Sequence, residues 1–229
     1  MTGDPKDVAR EAAAAAAIER VVPGMTIGLG SGRAVWRTME LLGERGDRLR
    51  AAFASDRTAA LGRELGIDEV ELDGGTRLDV AVDGADEVDP DLNLVKGGGA
   101  ALLREKLVVC AADRFVVVAE DRKRVERLGQ EFPLPVEVVR FAWPDTRARV
   151  LRLVLEADLR TDDDGAPVLT DEGHHLLDCR VPPAGDIGEL AAALKATVGV
   201  VEHGLFIGLA SEVLLGRPDG GLEVLRAQA

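Results

Sequence analysis

Short runs of valine, alanine and isoleucine recur along the first half of the chain, alternating with helical patterns, and this alternation constrains the fold most. The runs are TIGLG, AAFAS, DVAVDGA and FVVVAE. Strands without polar alternation are buried on both faces, and strands that alternate with helices pair in parallel. The first half therefore predicts a Rossmann-like parallel sheet covered by helices, in which ligands bind at the carboxyl ends of the strands.

The rhythm changes after residue 130. The next predicted elements are a strand at 133–141, a helix over Thr146–Ala157, a hairpin region at 159–179, a helix over Ile187–Thr197 and a strand at 200–206. The order strand, helix, strand, strand, helix, strand is that of a small ferredoxin-like α+β domain. We therefore expect an α/β protein of two domains. Residues 1–130 and 207–229 form the Rossmann-like catalytic domain, and residues 131–206 form the smaller domain, to which we assign oligomerisation.

Charge and cysteine content exclude several classes of function. The net charge is −13 and there is no extended basic cluster, which argues against nucleic-acid binding. No apolar stretch reaches the length of a membrane span, and the first residues do not resemble a secretion signal. The two cysteines provide neither a disulfide framework nor metal-ligand spacing. We therefore expect a cytoplasmic protein with no membrane or nucleic-acid partner.

The segment GLGSGR, residues 28–33, is the first loop that could bind a ligand. It lies between a strand and a helix, where backbone amides, the Ser31 hydroxyl and the helix N-terminus could hold a phosphate. It matches neither the dinucleotide spacing nor the nucleotide P-loop, so a tight glycine turn is an equal alternative. Arg33 favours an anion site, because a cation at a helix N-terminus opposes the helix dipole.

The segment DGADE places Asp83 and Asp86 at and just beyond the end of a strand. Acidic residues in such positions are often only turn formers. A metal site is a second alternative, but the acids here lack the central glycine and closing glutamate of a calcium loop. Catalysis is the third reading, because the strand delivers Asp83 to the sheet edge beside a segment that contains a lysine.

The segment KGGG precedes a helix that is apolar on every side except for Arg104, Glu105 and Lys106. Such a helix is predicted to be buried. Its apolar neighbours would remove water from Glu105 and raise its pKa from the usual value of about 4.3 toward a range that is useful for a general base. An ion pair with an adjacent helix or subunit is an equal alternative.

The three histidines indicate no catalytic site. His174 and His175 are adjacent and would point to opposite faces of a strand, and His203 stands alone. Packed or solvated imidazoles are therefore expected.

Taken together, these motifs resemble the ribose-5-phosphate isomerase type A family. The matching stretches are GLGSG, DVAVDGADEVDPDLNLVKGGGAALLREKLV, VVAEDRKRVERLG, FPLPVEV and GVVEHGLF, in family order, with TDDDGAPVLTDEG similar to a further family segment. The resemblance implies an aldose–ketose isomerase of the pentose phosphate pathway. Its reaction interconverts D-ribose 5-phosphate and D-ribulose 5-phosphate through an enediolate, without metal or organic cofactor.

The resemblance also implies roles for individual residues. Glu105 matches the general base, and Asp83, Asp86 and Lys96 match further catalytic residues. The implied substrate-binding residues are Ser31, Gly32, Arg33, Ala34, Gly84, Ala85, Gly97, Gly98, Gly99 and Lys123.

The chain departs from the family pattern in two places. The first loop lacks two hydroxyls, for which Arg33 could compensate with a charged fork. A family lysine of the N-terminal helix is replaced by Arg10. The resemblance further implies a homodimer or homotetramer that acts on a sugar phosphate.

Two other functions fit the sequence less well than an isomerase does. A sugar-phosphate sensor would need a DNA-reading helix pair, which the sequence lacks. An enzyme similar to an acyl-CoA transferase would use a glutamate as nucleophile, and a glutamate inside a buried helix fits a proton shuttle better.

Overall fold

The computed structural model describes residues 4–227 and divides the chain into two compact units. The first comprises the described residues up to Ala85, Arg104–Arg124 and the described residues from Gly208 onward; the second comprises Asp86–Leu103 and Val125–Ile207. The termini of the predicted first domain, residues 1–3 and 228–229, lie outside the described residues. The domain boundaries expected from the sequence stay a prediction. The two compact units differ from them mainly because residues 86–103 belong to the smaller unit.

The structure contains six α-helices and fourteen strands within the described residues. The helices are α1 (Pro5–Ile18), α2 (Arg33–Arg45), α3 (Asp56–Glu64), α4 (Leu102–Cys110), α5 (Trp143–Val150) and α6 (Ile187–Lys195). The strands are β1 (Thr26–Leu29), β2 (Arg50–Phe53), β3 (Asp68–Glu69), β4 (Val80–Asp83), β5 (Glu87–Val88), β6 (Leu94–Val95), β7 (Phe115–Glu120), β8 (Leu134–Val138), β9 (Glu156–Leu159), β10 (His175–Arg180), β11 (Val200–His203), β12 (Leu205–Phe206), β13 (Glu212–Gly216) and β14 (Leu222–Arg226).

The first unit is built on a seven-stranded sheet in the order β14-β13-β7-β4-β1-β2-β3. All neighbouring pairs are parallel except β13 and β14. Strands β1, β4 and β7 are almost wholly buried, which explains why they read as continuous apolar runs. The core between the sheet and its helices includes Ile27, Val35, Met39, Val82 and Val118.

Local sequence signals set the helix ends of this unit. The Asp4 side chain caps α1 by accepting from the Lys6 amide at 2.9 Å, and Pro5 occupies the first turn. Helix α2 ends at Gly46, whose φ of 76° is readily adopted by glycine.

The second unit contains a four-stranded antiparallel sheet in the order β11-β8-β10-β9. With α5 after β8 and α6 after β10, this is the predicted ferredoxin-like arrangement. Strands β5, β6 and β12 form a separate three-stranded sheet that the sequence pattern did not indicate. The predicted α/β fold class is confirmed.

One predicted helix was wrong in its extent. The helix expected over Thr146–Ala157 begins at Trp143, ends at Val150 and gives way to strand β9 from Glu156. Pro144 lies in the first turn of α5, where a proline is tolerated because the missing amide has no helical partner. Ala157 is fully buried in β9, so packing of the sheet overrides the helical propensity of this segment.

No helix within residues 4–227 combines the length and the apolar content needed to cross a lipid bilayer.

Candidate active site

The strand order of the first unit marks the position where its ligand is expected. Strand β1 leads through α2 to β2 on one side, whereas β4 pairs with β1 on the other side. In open α/β sheets, ligands bind where the strand order reverses in this way, here at the carboxyl ends of β1 and β4. The loop after β1 contains Ser31 and Gly32, and β4 ends at Asp83. The sheet therefore brings together two motifs that are about fifty residues apart in the sequence.

Backbone amides hold the carboxylate of Asp83 in place. Its Oδ1 accepts hydrogen bonds from the Ser31 amide at 3.1 Å and from the Gly84 amide at 2.7 Å. Only 1% of Asp83 is exposed. The carboxylate also fills the space beside Gly30, where an added Cβ would lie 1.9 Å from Asp83 Cγ. A residue other than glycine at position 30 would therefore displace the carboxylate. We call Gly30, Ser31, Asp83 and Gly84 the sheet-edge group.

The N-terminus of α2 has the features of an anion site. Gly32 is the N-cap, with a φ of 120°, and no side chain caps the first amides. Arg33 is exposed at the first helical position, and half-buried Ala34 follows it. The helix dipole and the uncapped amides both favour an anion here. The role of Arg33 in binding an anion at this helix end stays a prediction.

Ser55, which the sequence motifs did not single out, lies beside the same loop. Its hydroxyl is 3.2 Å from that of Ser31, and it caps α3 by accepting from the Thr58 amide at 3.1 Å. A hydroxyl thus stands next to Ser31, in a loop that the family resemblance marks as short of hydroxyls. Serine followed by aspartate directly before a helical pattern is an N-cap signal that could have identified it.

Glu105 occupies the buried side of α4. Only 3% of this residue is exposed, and its helical neighbours Leu102, Val108 and Val109 are buried as well. The prediction that the whole helix is buried was wrong, because Leu107 is 56% exposed and Cys110 is also exposed. One side of α4 faces solvent, and Glu105 lies on the other side.

Arg104, the residue before Glu105, forms an ion pair between two helices. Arg104 donates from NH1 to Asp56 Oδ1 of α3 at 2.7 Å. The interhelical pair thus involves Arg104, which is a half-buried residue one position before the predicted base.

Two basic residues lie near the carboxyl end of β7. Lys123 is half-buried and ends a short 3₁₀ helix, Asp121–Lys123, that follows this strand directly. Arg10 of α1 pairs through Nε with Oε1 of Glu120, the last residue of β7, at 2.6 Å. Arg10 also contacts Asp7. The arginine that replaces the family lysine therefore reaches the end of a strand adjacent to β4.

In the second unit, a hairpin brings Asp86 opposite Lys96. Strands β5 and β6 are antiparallel, with Glu87 paired to Val95, so the residues just outside this pair face one another. The Asp86 amide donates to the Val95 carbonyl at 2.8 Å. Two separate sequence motifs are therefore joined by strands of only two residues each.

The glycines after Lys96 form a loop that folds back on Asp86. The Gly98 amide donates to Asp86 Oδ2 at 2.8 Å, and the Ala100 amide to the Gly97 carbonyl at 3.1 Å. Gly97 has a φ of 106°, and a Cβ there would lie 2.8 Å from Leu102. Gly98 and Gly99 are exposed. We call Asp86 and Lys96–Gly99 the hairpin-loop group.

Lys96 is a buried cation, with 2% of the residue exposed. Its ammonium lies 5.4 Å from the centroid of the Phe206 ring, within range of a cation–π contact. Its amide donates to the Gly204 carbonyl at 2.8 Å, and a Cβ on Gly204 would lie 2.1 Å from the Lys96 carbonyl oxygen. Glycine at 204 therefore allows this close approach to Lys96. The strand predicted at 200–206 is divided at this residue into β11, which pairs with β8, and β12, which pairs with β6.

Two other acidic residues of this segment, Glu87 and Asp89, accept hydrogen bonds from backbone amides. Glu87 accepts from the amides of Gly129, Glu131 and Phe132 at 2.5 to 2.7 Å. Asp89 accepts from the amides of Asp91 and Asn93. Within residues 4–227 no group of three or more histidine, cysteine or acidic side chains is arranged to hold a metal ion.

Two of the histidines make packing and hydrogen-bond contacts. His174 Nδ1 lies 2.8 Å from Glu137 Oε1. The His175 ring meets the Trp143 ring edge to face, with centroids 6.0 Å apart. Burial, and secondarily Arg140, lowers the pKa of His175 and favours its neutral form. These contacts agree with the packed imidazoles expected from the sequence.

Comparison with known proteins assigns the family. The family model described as ribose 5-phosphate isomerase A (phosphoriboisomerase A) matches residues 51–220. The ribose-5-phosphate isomerase A of Synechococcus sp. (strain JA-3-3Ab) is 47% identical over 225 residues, which cover 96% of this chain and 97% of the relative.

Solved structures agree. A D-ribose-5-phosphate isomerase in complex with phospho-erythronic acid is 34% identical, with a TM-score of 0.91 over 98% of this chain and 100% of the other. Ribose 5-phosphate isomerase A from Methanocaldococcus jannaschii is 32% identical, with a TM-score of 0.89 over 97% of this chain and 100% of the other. The resemblance recognised in the sequence motifs is confirmed. By sequence over almost its whole length and by fold, this chain belongs to the ribose-5-phosphate isomerase A family.

Proposed function

We propose that this protein interconverts D-ribose 5-phosphate and D-ribulose 5-phosphate by moving a proton between C2 and C1 through an enediolate. The activity follows from membership of the family. The observation that carries the mechanism is the burial of Glu105, a carboxylate of which 3% is exposed, on the helix that follows the Lys96–Gly99 loop. A carboxyl group removed from water is a stronger base than one in solvent, which suits proton abstraction next to a carbonyl.

In the proposed reaction, Glu105 removes the proton from C2 of the open-chain aldose. The electron pair of the broken C–H bond forms the C1–C2 double bond, and the carbonyl electrons pass to O1. Glu105 then returns the proton to C1, while the O2 hydrogen moves to O1. The atoms balance without an added oxidant, reductant or metal ion.

The developing negative charge on oxygen requires a positive or hydrogen-bonding partner. We assign this to the buried ammonium of Lys96 and to the amides of Gly97 and Gly99, with Asp86 holding the loop through the Gly98 amide. We assign ring opening or proton transfer between oxygens to Asp83, whose carboxylate is already fixed by two amides. Gly84 supplies one of these amides, and Ala85 follows it.

For the phosphate group we propose the uncapped N-terminus of α2. Ser31 and Gly32 precede this helix end, and Arg33 and Ala34 begin the helix. The guanidinium of Arg33 can donate two parallel hydrogen bonds to a phosphate. We also assign Lys123 to substrate binding. The Ser55 hydroxyl, 3.2 Å from that of Ser31, supplements this loop.

Turnover of ribose 5-phosphate tests the proposal directly. The protein is treated with a chelator, freed of small molecules by gel filtration and incubated with ribose 5-phosphate, and ketose formation is followed. We expect ribulose 5-phosphate to accumulate to equilibrium at an unchanged rate after chelation. Absence of ketose would overturn the proposed activity, and a rate restored only by added metal would overturn the metal-free mechanism.

We also propose that the protein forms a homodimer or homotetramer through the smaller unit. Support comes from two apolar residues exposed on that unit, Phe141 at 88% and Val198 at 77%. The Val139 amide donates to the Gly199 carbonyl at 2.9 Å, so the segments that carry these residues adjoin. Exposed apolar side chains that lie together often mark an interface.

Light scattering after gel filtration tests this assembly. We expect the wild-type protein to elute as a dimer or tetramer, and the double variant Phe141→Ser, Val198→Ser to shift toward the monomer. Leu222→Ser, which changes an exposed leucine of the other unit, is the control. A monomeric wild-type protein would contradict the proposal.

We place the protein in the cytoplasm. Both cysteines are free, which fits a reducing compartment. Burial raises the pKa of the Cys179 thiol to about 12, so this group stays protonated and unreactive.

A further inference from the structure

A salt bridge of the smaller unit holds the carbonyl side of the glycine loop. Arg160 directly follows β9, and its NH1 donates to the Gly97 carbonyl at 2.8 Å and to the Gly98 carbonyl at 3.3 Å. Its Nε and NH2 donate to the carboxylate of Asp178 in β10 at 2.5 to 3.2 Å. One guanidinium thus connects the four-stranded sheet with two successive carbonyl oxygens of the loop.

The surroundings of the Arg160–Asp178 ion pair strengthen its hold on the loop. The side chains of Arg160 and Asp178 are 14% and 26% exposed, so both are largely shielded from solvent. Asp178 lies opposite Pro135 in the sheet, and a Cβ on Gly97 would lie 3.1 Å from the Pro135 ring. The loop therefore rests on this part of the sheet, where a forked, charge-assisted interaction is stronger than at an open surface.

Because the peptide bond is planar, the contacts of Arg160 with the two carbonyls also fix the orientation of the amides that follow them. In a trans peptide the C=O and the N–H of the next residue point in opposite directions. Fixing the Gly97 carbonyl on Arg160 directs the Gly98 amide away from the guanidinium, and that amide is bound by Asp86. Fixing the Gly98 carbonyl likewise directs the exposed Gly99 amide away from the sheet.

We infer that Arg160, held by Asp178, is a positioning residue that keeps the Gly98 amide on Asp86 and directs the Gly99 amide away from the sheet for the isomerase reaction. The inference rests on the proposed function of the loop as an oxyanion-binding element. The cation also withdraws electrons from the two carbonyls, which makes the amides of the same peptide units better hydrogen-bond donors. Arg160 itself need not touch the substrate.

Four variants separate this role from a general contribution to folding. Arg160→Met removes the charge and the fork, Arg160→Lys keeps the charge but loses the fork, and Asp178→Asn weakens the anchor. The matched control is Arg180→Met, which breaks an ion pair with Glu156 across the same two strands, at a position where the arginine is 57% exposed.

We expect Arg160→Met to lower kcat by about 10- to 100-fold, with KM changed less than about threefold. The reason is that a misdirected loop amide weakens binding of the transition state more than binding of the substrate. Arg160→Lys should recover part of this loss, and Asp178→Asn should lie between the lysine variant and the wild type. Arg180→Met should have wild-type kinetics. A kcat of Arg160→Met within twofold of the wild type, or an equal loss in Arg180→Met, would overturn the inference.

Hydrogen exchange of the loop amides tests the inference without turnover. In Arg160→Met the Gly98 amide, which donates to Asp86, and the Ala100 amide, which donates to the Gly97 carbonyl, should exchange at least about tenfold faster than in the wild type, and in Arg180→Met at an unchanged rate. Unchanged exchange in Arg160→Met would overturn the inference even if the protein is an active isomerase. Faster exchange in a protein that does not isomerise ribose 5-phosphate would instead count against the proposed function alone. If Arg160→Met does not fold, the lysine and asparagine variants give the same comparison.

Discussion

The sheet-edge group and the hairpin-loop group hold their carboxylates by opposite means. Asp83 is fixed because parallel pairing of β1 with β4 places the amide of Ser31 against its carboxylate, so its position depends on long-range topology. Asp86 is fixed by a hairpin and loop that lie within twelve residues of it. The first group therefore has little freedom to adjust, whereas the second can adjust locally. Substitutions of similar size should be costly at the sheet edge and milder in the loop.

The largest effect within this comparison is expected for a chemical change in the loop group. Lys96→Met should lower kcat by about 10²- to 10³-fold, because the ammonium that stabilises the enediolate oxygen is lost. Thermal unfolding, measured in parallel, should show that the variant is folded at the assay temperature. Steady-state kinetics with Lys195→Met as control checks this, because Lys195 pairs with Glu202 and is 53% exposed. Equal activity of the two variants would remove Lys96 from catalysis.

A steric change at the sheet edge should come next. Gly30→Ala places a methyl group 1.9 Å from Asp83 Cγ, so the carboxylate must leave the amides of Ser31 and Gly84. We expect kcat/KM to fall by about 10²-fold, the scale of losing one oriented catalytic group. The free energy of unfolding should fall by about 1–3 kcal/mol, because the site is overpacked.

The control for this variant is Gly75→Ala, where the new Cβ meets only Asp73 Oδ1 at an ordinary 3.6 Å. Denaturant unfolding and kinetics of the two proteins should differ clearly. Wild-type behaviour of Gly30→Ala would show that Asp83 is not fixed as described.

The same change in the loop should be the mildest. In Gly98→Ala the methyl group lies 2.9 Å from both carboxylate oxygens of Asp86, which is the flexible end of a side chain. A small rotation of Asp86 relieves this contact and keeps the hydrogen bond from the amide at position 98. We expect a loss of activity of about tenfold or less and a change in unfolding free energy below about 1 kcal/mol. A larger loss than in Gly30→Ala would reverse the proposed contrast.

The sequence predicts the first group well because its signals are periodic. Strand β7 was predicted with its observed bounds, Phe115–Glu120, and Asp83 was expected at the end of the strand where β4 ends. A buried parallel strand is a continuous apolar run, and its carboxyl end is the expected place for a ligand. The order of the strands, which makes Ser31 and Asp83 neighbours, could not be read from the sequence pattern because pairing is a long-range property.

The second group was only partly predictable. Asp86, Lys96 and the glycines were recognised as motifs, but β5 and β6 have two residues each, too few for any periodicity. Arg160 and Asp178 lie more than sixty residues beyond the loop that they contact, and no local signal connects them with it. The extent of α5 was wrong because burial of Ala157 in a sheet outweighs its helical propensity.

Exchange of the substrate C2 hydrogen with solvent deuterium tests the central claim most directly, because it reports the proton transfer assigned to Glu105. In deuterium oxide the wild-type protein should exchange this hydrogen during turnover. Glu105→Gln should lower the exchange rate by about 10²- to 10⁴-fold while the substrate still binds, since the amide keeps the shape of the side chain but cannot accept the proton. Exchange near the wild-type rate in Glu105→Gln would contradict the account.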